Sequence, residues 1–77
     1  MIRLKAERLR RGWSQQTLGY HSQVAGADIS KVENGRLQLY PKQAERLAVV
    51  LGVKPEELLQ RIAPVEVEAL LEARGAR

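Results

Sequence analysis

Apolar residues recur along this chain three or four positions apart, in short stretches cut by glycine, proline and small polar residues, and they seldom alternate with polar ones. That spacing puts them on one face of a helix and leaves little room for half-buried strands. A first helix is predicted over residues 2–11, with Leu4 and Leu9 inward and Gly12 as its stop. A second follows Ser14, a favourable N-cap, carries Leu18 and Gly19, and ends near Ser22. A third runs from Ala25–Asp28 to Glu33, with Ile29 and Val32 on one face; Asn34-Gly35 then reads as a helix end with Gly in the left-handed position. Residues 36–40 form a loop.

Pro41 suits the first turn of a fourth helix, in which Ala44, Leu47, Ala48 and Leu51 repeat at helical spacing until Gly52. Val53-Lys54-Pro55-Glu56-Glu57 restarts a fifth, with proline and acids in its first turn and Leu58, Leu59 and Ile62 inward. Pro64 permits a short sixth over Val65–Ala73, offering Val67, Leu70 and Leu71, with Arg74-Gly75-Ala76-Arg77 as a frayed end. The predicted fold class is all-α, five short helices with a short sixth at the C-terminal end.

Composition narrows this further. Seventy-seven residues make one small domain, and with no cysteine there is neither a disulfide nor a thiolate metal site to support it. Stability must come from helix packing or from oligomerisation. No apolar run approaches the roughly 20 residues of a membrane span, and residues 1–5 lack the apolar core of a signal peptide, so the expected compartment is the cytoplasm, with no membrane partner. Aromatics are confined to Trp13, Tyr20 and Tyr40, too few for base-stacking platforms on single strands. Trp13 is expected in the core, and the two tyrosines either pack on the surface or donate to phosphate. His21 stands without a second ligand and reads as an exposed helix residue; no metal, cofactor or catalytic set is expected.

Thirteen Lys and Arg against nine Asp and Glu leave a net charge of +4. The excess is concentrated in residues 1–12, where Arg3, Lys5, Arg8, Arg10 and Arg11 face Glu7 alone. Such a segment is either a phosphate-facing edge or a solvated helix face.

Two short helices joined by three or four residues, Gln15 to Ser22 and Ala25 to Glu33, have the layout of a helix-turn-helix, whose second helix can enter the DNA major groove. Such helices need a small residue where they cross, and Gly19 supplies one. From Leu4 to Leu59 the chain resembles the Cro/CI-type (XRE) helix-turn-helix family of phage repressors and small bacterial regulators. The likeness is carried by Arg8, by Gly12-Trp13-Ser14-Gln15-Gln16-Thr17-Leu18, by Asp28-Ile29-Ser30-Lys31-Val32-Glu33-Asn34-Gly35-Arg36, and by Leu47-Ala48-Val49-Val50-Leu51-Gly52-Val53-Lys54-Pro55-Glu56-Glu57-Leu58-Leu59.

The resemblance implies a lambda-repressor-like domain over residues 2–62 and a C-terminal helix and tail over 64–77. It implies phosphate contacts at Gln15, Gln16, Asn34 and Arg36, to which the basic segment adds Arg10 and Arg11. It implies a structural ion pair between Arg8 and Glu33. Ala25, Gly26, Ala27, Asp28, Ser30 and Lys31 would face bases or the groove. Of these, Ala25, Gly26 and Ala27 cannot make bidentate base contacts, Asp28 can accept from cytosine but is repelled by phosphate, and Ser30 and Lys31 are the ordinary polar readers. The turn departs from the family pattern, with Gln23 where glycine is usual and Ser22 where an apolar residue is usual.

The expected function is double-stranded DNA binding by a small transcriptional regulator, with phosphate contacts dominating affinity. The alternative is an adaptor or antitoxin that keeps the fold but whose main partner is a protein, of the transcription machinery or a toxin. The stripe of Val67, Leu70 and Leu71 either packs on its own domain or pairs two copies as a homodimer.

Overall fold

The computed structural model describes residues 1–75; the side chains of Pro64, Leu70, Ala73 and Arg74 lie outside that description, as do Ala76 and Arg77. The expectations placed on Leu70 and on the end of the tail therefore fall outside it. The chain forms α1 (Arg3–Arg10), α2 (Gln15–Ser22), α3 (Gly26–Glu33), α4 (Pro41–Leu51) and α5 (Pro64–Gly75), with a short 3-10 turn at Pro55–Glu57 between the last two. Among the described residues, extended pairing is confined to one antiparallel bridge between Ile2 and Arg61. The fold is all-α.

Local chemistry accounts for most helix ends. The Ser14 Oγ accepts from the Thr17 N–H at 3.0 Å and starts α2. Tyr40 and Gln43 close α4's first turn, where the Tyr40 N–H donates to the Gln43 side chain. Helices α1, α3 and α4 end alike, on Gly12, Gly35 and Gly52 with φ near +70°. In each, the residue after the glycine donates back to a carbonyl five positions earlier: Trp13 to Arg8, Arg36 to Lys31, and Val53 to Ala48. Helix α2 ends differently, because the left-handed residue is Gln23, with φ 58°. The turn forms in spite of its two departures: Ser22 is buried, and its hydroxyl donates to the Leu18 carbonyl at 2.7 Å. That bond satisfies the polar group where an apolar side chain was the usual choice.

The core gathers Leu4 from α1, Leu18 from α2, Val24 from the turn, Ile29 and Val32 from α3, Leu47, Ala48 and Leu51 from α4, and Leu58 just after the 3-10 turn. Trp13 packs against it half-buried. In α1 the inward partner of Leu4 is Ala6; Leu9, expected inside, is half-buried.

The expected fifth helix is corrected to a single 3-10 turn. Leu58 is fully buried, but Leu59 is 47% exposed and Ile62 only half-buried. The cause lies at the other end of the chain. Ile2, the residue before α1, has no side-chain oxygen with which to cap it, so the Arg3 and Leu4 N–H groups donate to the carbonyls of Gln60 (2.8 Å) and Leu58 (2.9 Å). The Ile62 N–H returns a bond to the Met1 carbonyl at 3.0 Å. Paired in this way with the start of α1, residues 58–62 run alongside it and do not continue a helix. Beyond them α5 lies against α1 and extends two residues past the expected sixth helix.

Helices α2 and α3 approach each other closely at their glycines. A Cβ on Gly19 would sit 2.6 Å from the Val24 carbonyl oxygen and 3.1 Å from the Gly26 nitrogen, both backbone atoms with little freedom to yield. A Cβ on Gly26 would sit 3.3 Å from the Gln16 Cα. Gly26 is thus a packing residue at the start of α3, a role its expected place in the groove did not include.

Gly19→Ala should therefore lose at least ~2 kcal/mol despite its better helix propensity, as overpacking against rigid backbone does. Gln23→Gly should gain ~0.5–1 kcal/mol, since relief of the left-handed strain exceeds the entropy cost of glycine. Urea unfolding of both variants checks the two signs.

Candidate nucleic-acid interface

Charged groups inside the fold decide which polar groups remain available outside it. Arg8, on α1, is nearly buried and makes a two-pronged bond to Glu33 at the end of α3, Nε to Oε2 at 2.7 Å and Nη2 to Oε1 at 2.9 Å. Its third donor, Nη1, reaches the Trp13 carbonyl at 2.8 Å. Glu33 Oε1 also accepts from Gln15 Nε2 at 3.0 Å. One ion pair thereby joins α1, the start of α2 and the end of α3.

A second cluster centres on Glu7, whose side chain is 4% exposed. Arg3, Arg10 and Arg11, spaced four back and three and four forward on the same helix, all donate to its carboxylate at 2.9–3.0 Å. Burial by itself would push the Glu7 carboxyl up, but hydrogen bonds from Arg11, Arg10 and Arg3 outweigh it and hold the group below the usual carboxylate range. Arg11 reaches further: its Nη2 donates to the Leu51 carbonyl at 2.8 Å, and its guanidinium lies 5.7 Å from the centre of the Trp13 ring. Trp13 in turn stacks on His21 with centroids 4.6 Å apart. Thus Arg11 ties α1 to the end of α4, and Arg10 rests on Glu7. Most of the basic excess at the start of the chain is spent on internal pairing, the outcome that neither a phosphate edge nor a solvated face described.

The remaining positions form the outer surface of the helix-turn-helix. Ala25, Ala27 and Lys31 are exposed, Asp28 and Ser30 half-buried. Ala27, Lys31 and Asn34 lie four and three apart and make one outward stripe along α3. Gln16 is exposed on α2, Gln15 is half-buried, and Asn34, Gly35 and Arg36 are exposed in the loop after α3. Among the described residues neither Lys31 nor Arg36 has a side-chain ion pair. The structure therefore collects Gln16, Lys31, Asn34 and Arg36 on exposed surface of the two helices and their following loop, turns Gln15 toward Glu33, and holds Arg10 and Arg11 on Glu7. Tyr20 and Tyr40 are 79% and 69% exposed.

Glu7 was missed as a hub, although a single acid among five cations at helical spacing was a visible signal. The Gln15–Glu33 bond had none, because it depends on how α2 and α3 cross. Among the described residues no group of three or more His, Cys, Asp or Glu is placed to hold a metal ion, and no helix is long and apolar enough to cross a membrane.

Comparison with known families matches residues 2–62 to the helix-turn-helix domain. No curated protein and no solved structure matches the chain.

Glu33→Ala should cost ~3–5 kcal/mol, most of a small domain's stability, because it leaves a buried guanidinium uncompensated. Replacing both partners with Arg8→Met and Glu33→Leu should recover much of that loss, which denaturant titration of the three variants measures. Glu7 sets an acid limit. Its carboxyl is depressed on folding, so its contribution is complete above the unfolded value of about 4.3 and declines as pH falls through the lower folded value. Thermal melts should show stability falling below about pH 4, less steeply in Glu7→Gln.

Proposed function

Because the chain belongs to the helix-turn-helix domain family, a family of XRE-like DNA-binding domains, we propose that it binds double-stranded DNA as a small transcriptional regulator, with α3 entering the major groove. The observation that carries this reading is the exposed stripe of Ala27, Lys31 and Asn34, on a helix held against α2 at glycine distance and pinned at its far end by Glu33. A rigid, outward helix beside the free N–H groups of another helix's first turn is the geometry that major-groove docking uses.

In this reading Gln16, Asn34 and Arg36 meet phosphates, joined by the backbone at the start of α2. Lys31 reads a guanine edge and the methyl groups of Ala25 and Ala27 touch thymine. Ser30 and Asp28, half-buried, contribute at the margin. Arg10 and Arg11 act indirectly, by fixing α1 and α4 behind the reading helix. With small residues at most reading positions, affinity rests on phosphate contacts and sequence choice on DNA shape and a few bases.

Pairing of two copies through α5 would supply further selectivity. Val67 and Leu71 are half-buried, Val65 is 70% exposed, and an open cavity of about 370 Å³ lies among Met1, Ile62, Val67 and Glu68. The longest dimension of the chain is 32 Å. Two copies related by a two-fold axis would suit half-sites about 34–36 Å apart.

Titration of duplex DNA at several salt concentrations tests the function. Affinity should fall steeply with salt, Arg36→Ala should lower the slope of log K against log salt by about 1, and Lys31→Ala should relax base preference at one position. A slope near zero overturns the reading and favours the protein-partner alternative. Sedimentation should show a dimer at micromolar concentration that Val67→Asp dissociates.

A further inference from the structure

Lys5 is the cation of α1 that the internal pairing leaves over. Arg3, Arg8, Arg10 and Arg11 all hold carboxylates, whereas among the described residues the Lys5 ammonium has neither an ion pair nor a hydrogen bond. It lines a cleft of about 220 Å³ that is also lined by Arg61, a second cation whose side chain has no ion pair among the described residues. These two residues are 56 positions apart in sequence and are brought together by the Ile2–Arg61 bridge and by the bonds from Arg3 and Leu4 to Gln60 and Leu58.

Asn34 and Gly35, from the loop that ends α3, also line the cleft. Glu33 also borders it, but its two carboxylate oxygens are occupied by Arg8 and Gln15, so its charge is compensated from within. What remains is a recess lined by two side-chain cations without ion pairs among the described residues, and by Met1, the N-terminal residue. Asn34 belongs both to this recess and to the Ala27–Lys31–Asn34 stripe, so the recess adjoins the end of that stripe.

We propose that Lys5 and Arg61 form a phosphate clamp that grips the DNA backbone at the C-terminal end of α3. The proposal rests on the DNA-binding reading above and adds to it a contact built from α1 and the segment after the 3-10 turn. Two cations facing one recess attract a doubly contacted phosphate more strongly than either would alone, and each neutralised contact releases counterions.

The test uses the full chain and a duplex of random sequence. Lys5→Gln and Arg61→Gln should leave the melting temperature unchanged, because neither side chain holds another group. Each should lower the magnitude of the salt slope by part of one phosphate contact. The double variant should lower it by about 0.9 in all, which reduces the affinity lost between 50 and 200 mM salt about 3.5-fold. On a duplex that carries one selected binding site, ethylation of the DNA phosphates should block wild-type binding at one position to which the double variant is indifferent. If Arg36→Gln lowers the slope but both clamp variants leave it at the wild-type value, the clamp is overturned while DNA binding stands. If the wild-type chain shows no salt-dependent binding, both fall together.

Discussion

The bidentate bond between Arg8 and Glu33 is the contact on which the placement of α3 depends. Its partners are 25 residues apart and sit on α1 and α3, and the same carboxylate takes the Gln15 side chain at the start of α2. A buried ion pair repays its desolvation only when every donor and acceptor is used. Here the third donor of the guanidinium goes to the Trp13 carbonyl, at the turn into α2. The angle at which α3 leaves the domain is therefore set by hydrogen-bond geometry at one end and by the Gly19–Gly26 approach at the other. A helix fixed at both ends can present Lys31 and Asn34 without first losing conformational entropy on binding.

The arginine cluster around Glu7 serves the same economy on a different face. One carboxylate anchors three guanidiniums, and Arg11 goes on to the end of α4, where Leu51 supplies a carbonyl that the helix leaves unpaired. A small domain without cysteine thus ties its helices together by charge as well as by its apolar core. The consequence for function is that formal charge overstates the charge presented to a polyanion. Lys31, Arg36, Lys5 and Arg61 matter because they remain uncommitted.

Much of this was legible in the order of residues. The helical stripes, the glycine stops at positions 12, 35 and 52, Ser14 as N-cap and the small residue at position 19 all report on interactions within a few residues, and each has the expected neighbourhood. The fifth helix was misread because Leu58, Leu59 and Ile62 have helical spacing, yet the carbonyls of Leu58 and Gln60 are needed by α1. Leu9 was misplaced for a related reason: helical periodicity allows more than one inward face, and α1 buries Leu4, Ala6, Glu7 and Arg8. Gly26 looked like a weak base reader because its partner, the Gln16 backbone, lies on another helix.

Sequence alone determined the all-α class, the positions of the five α-helices and the helix-turn-helix layout, because helix periodicity, capping and glycine stops act over a turn or less of chain. Tertiary structure decided which charges are free. Whether an arginine meets a carboxylate or solvent depends on which atoms the folded backbone brings within about 3 Å, and that distance is set by contacts between residues far apart in the chain. The same holds for the cleft between Lys5 and Arg61, which exists only because an uncapped helix start draws the C-terminal segment alongside it.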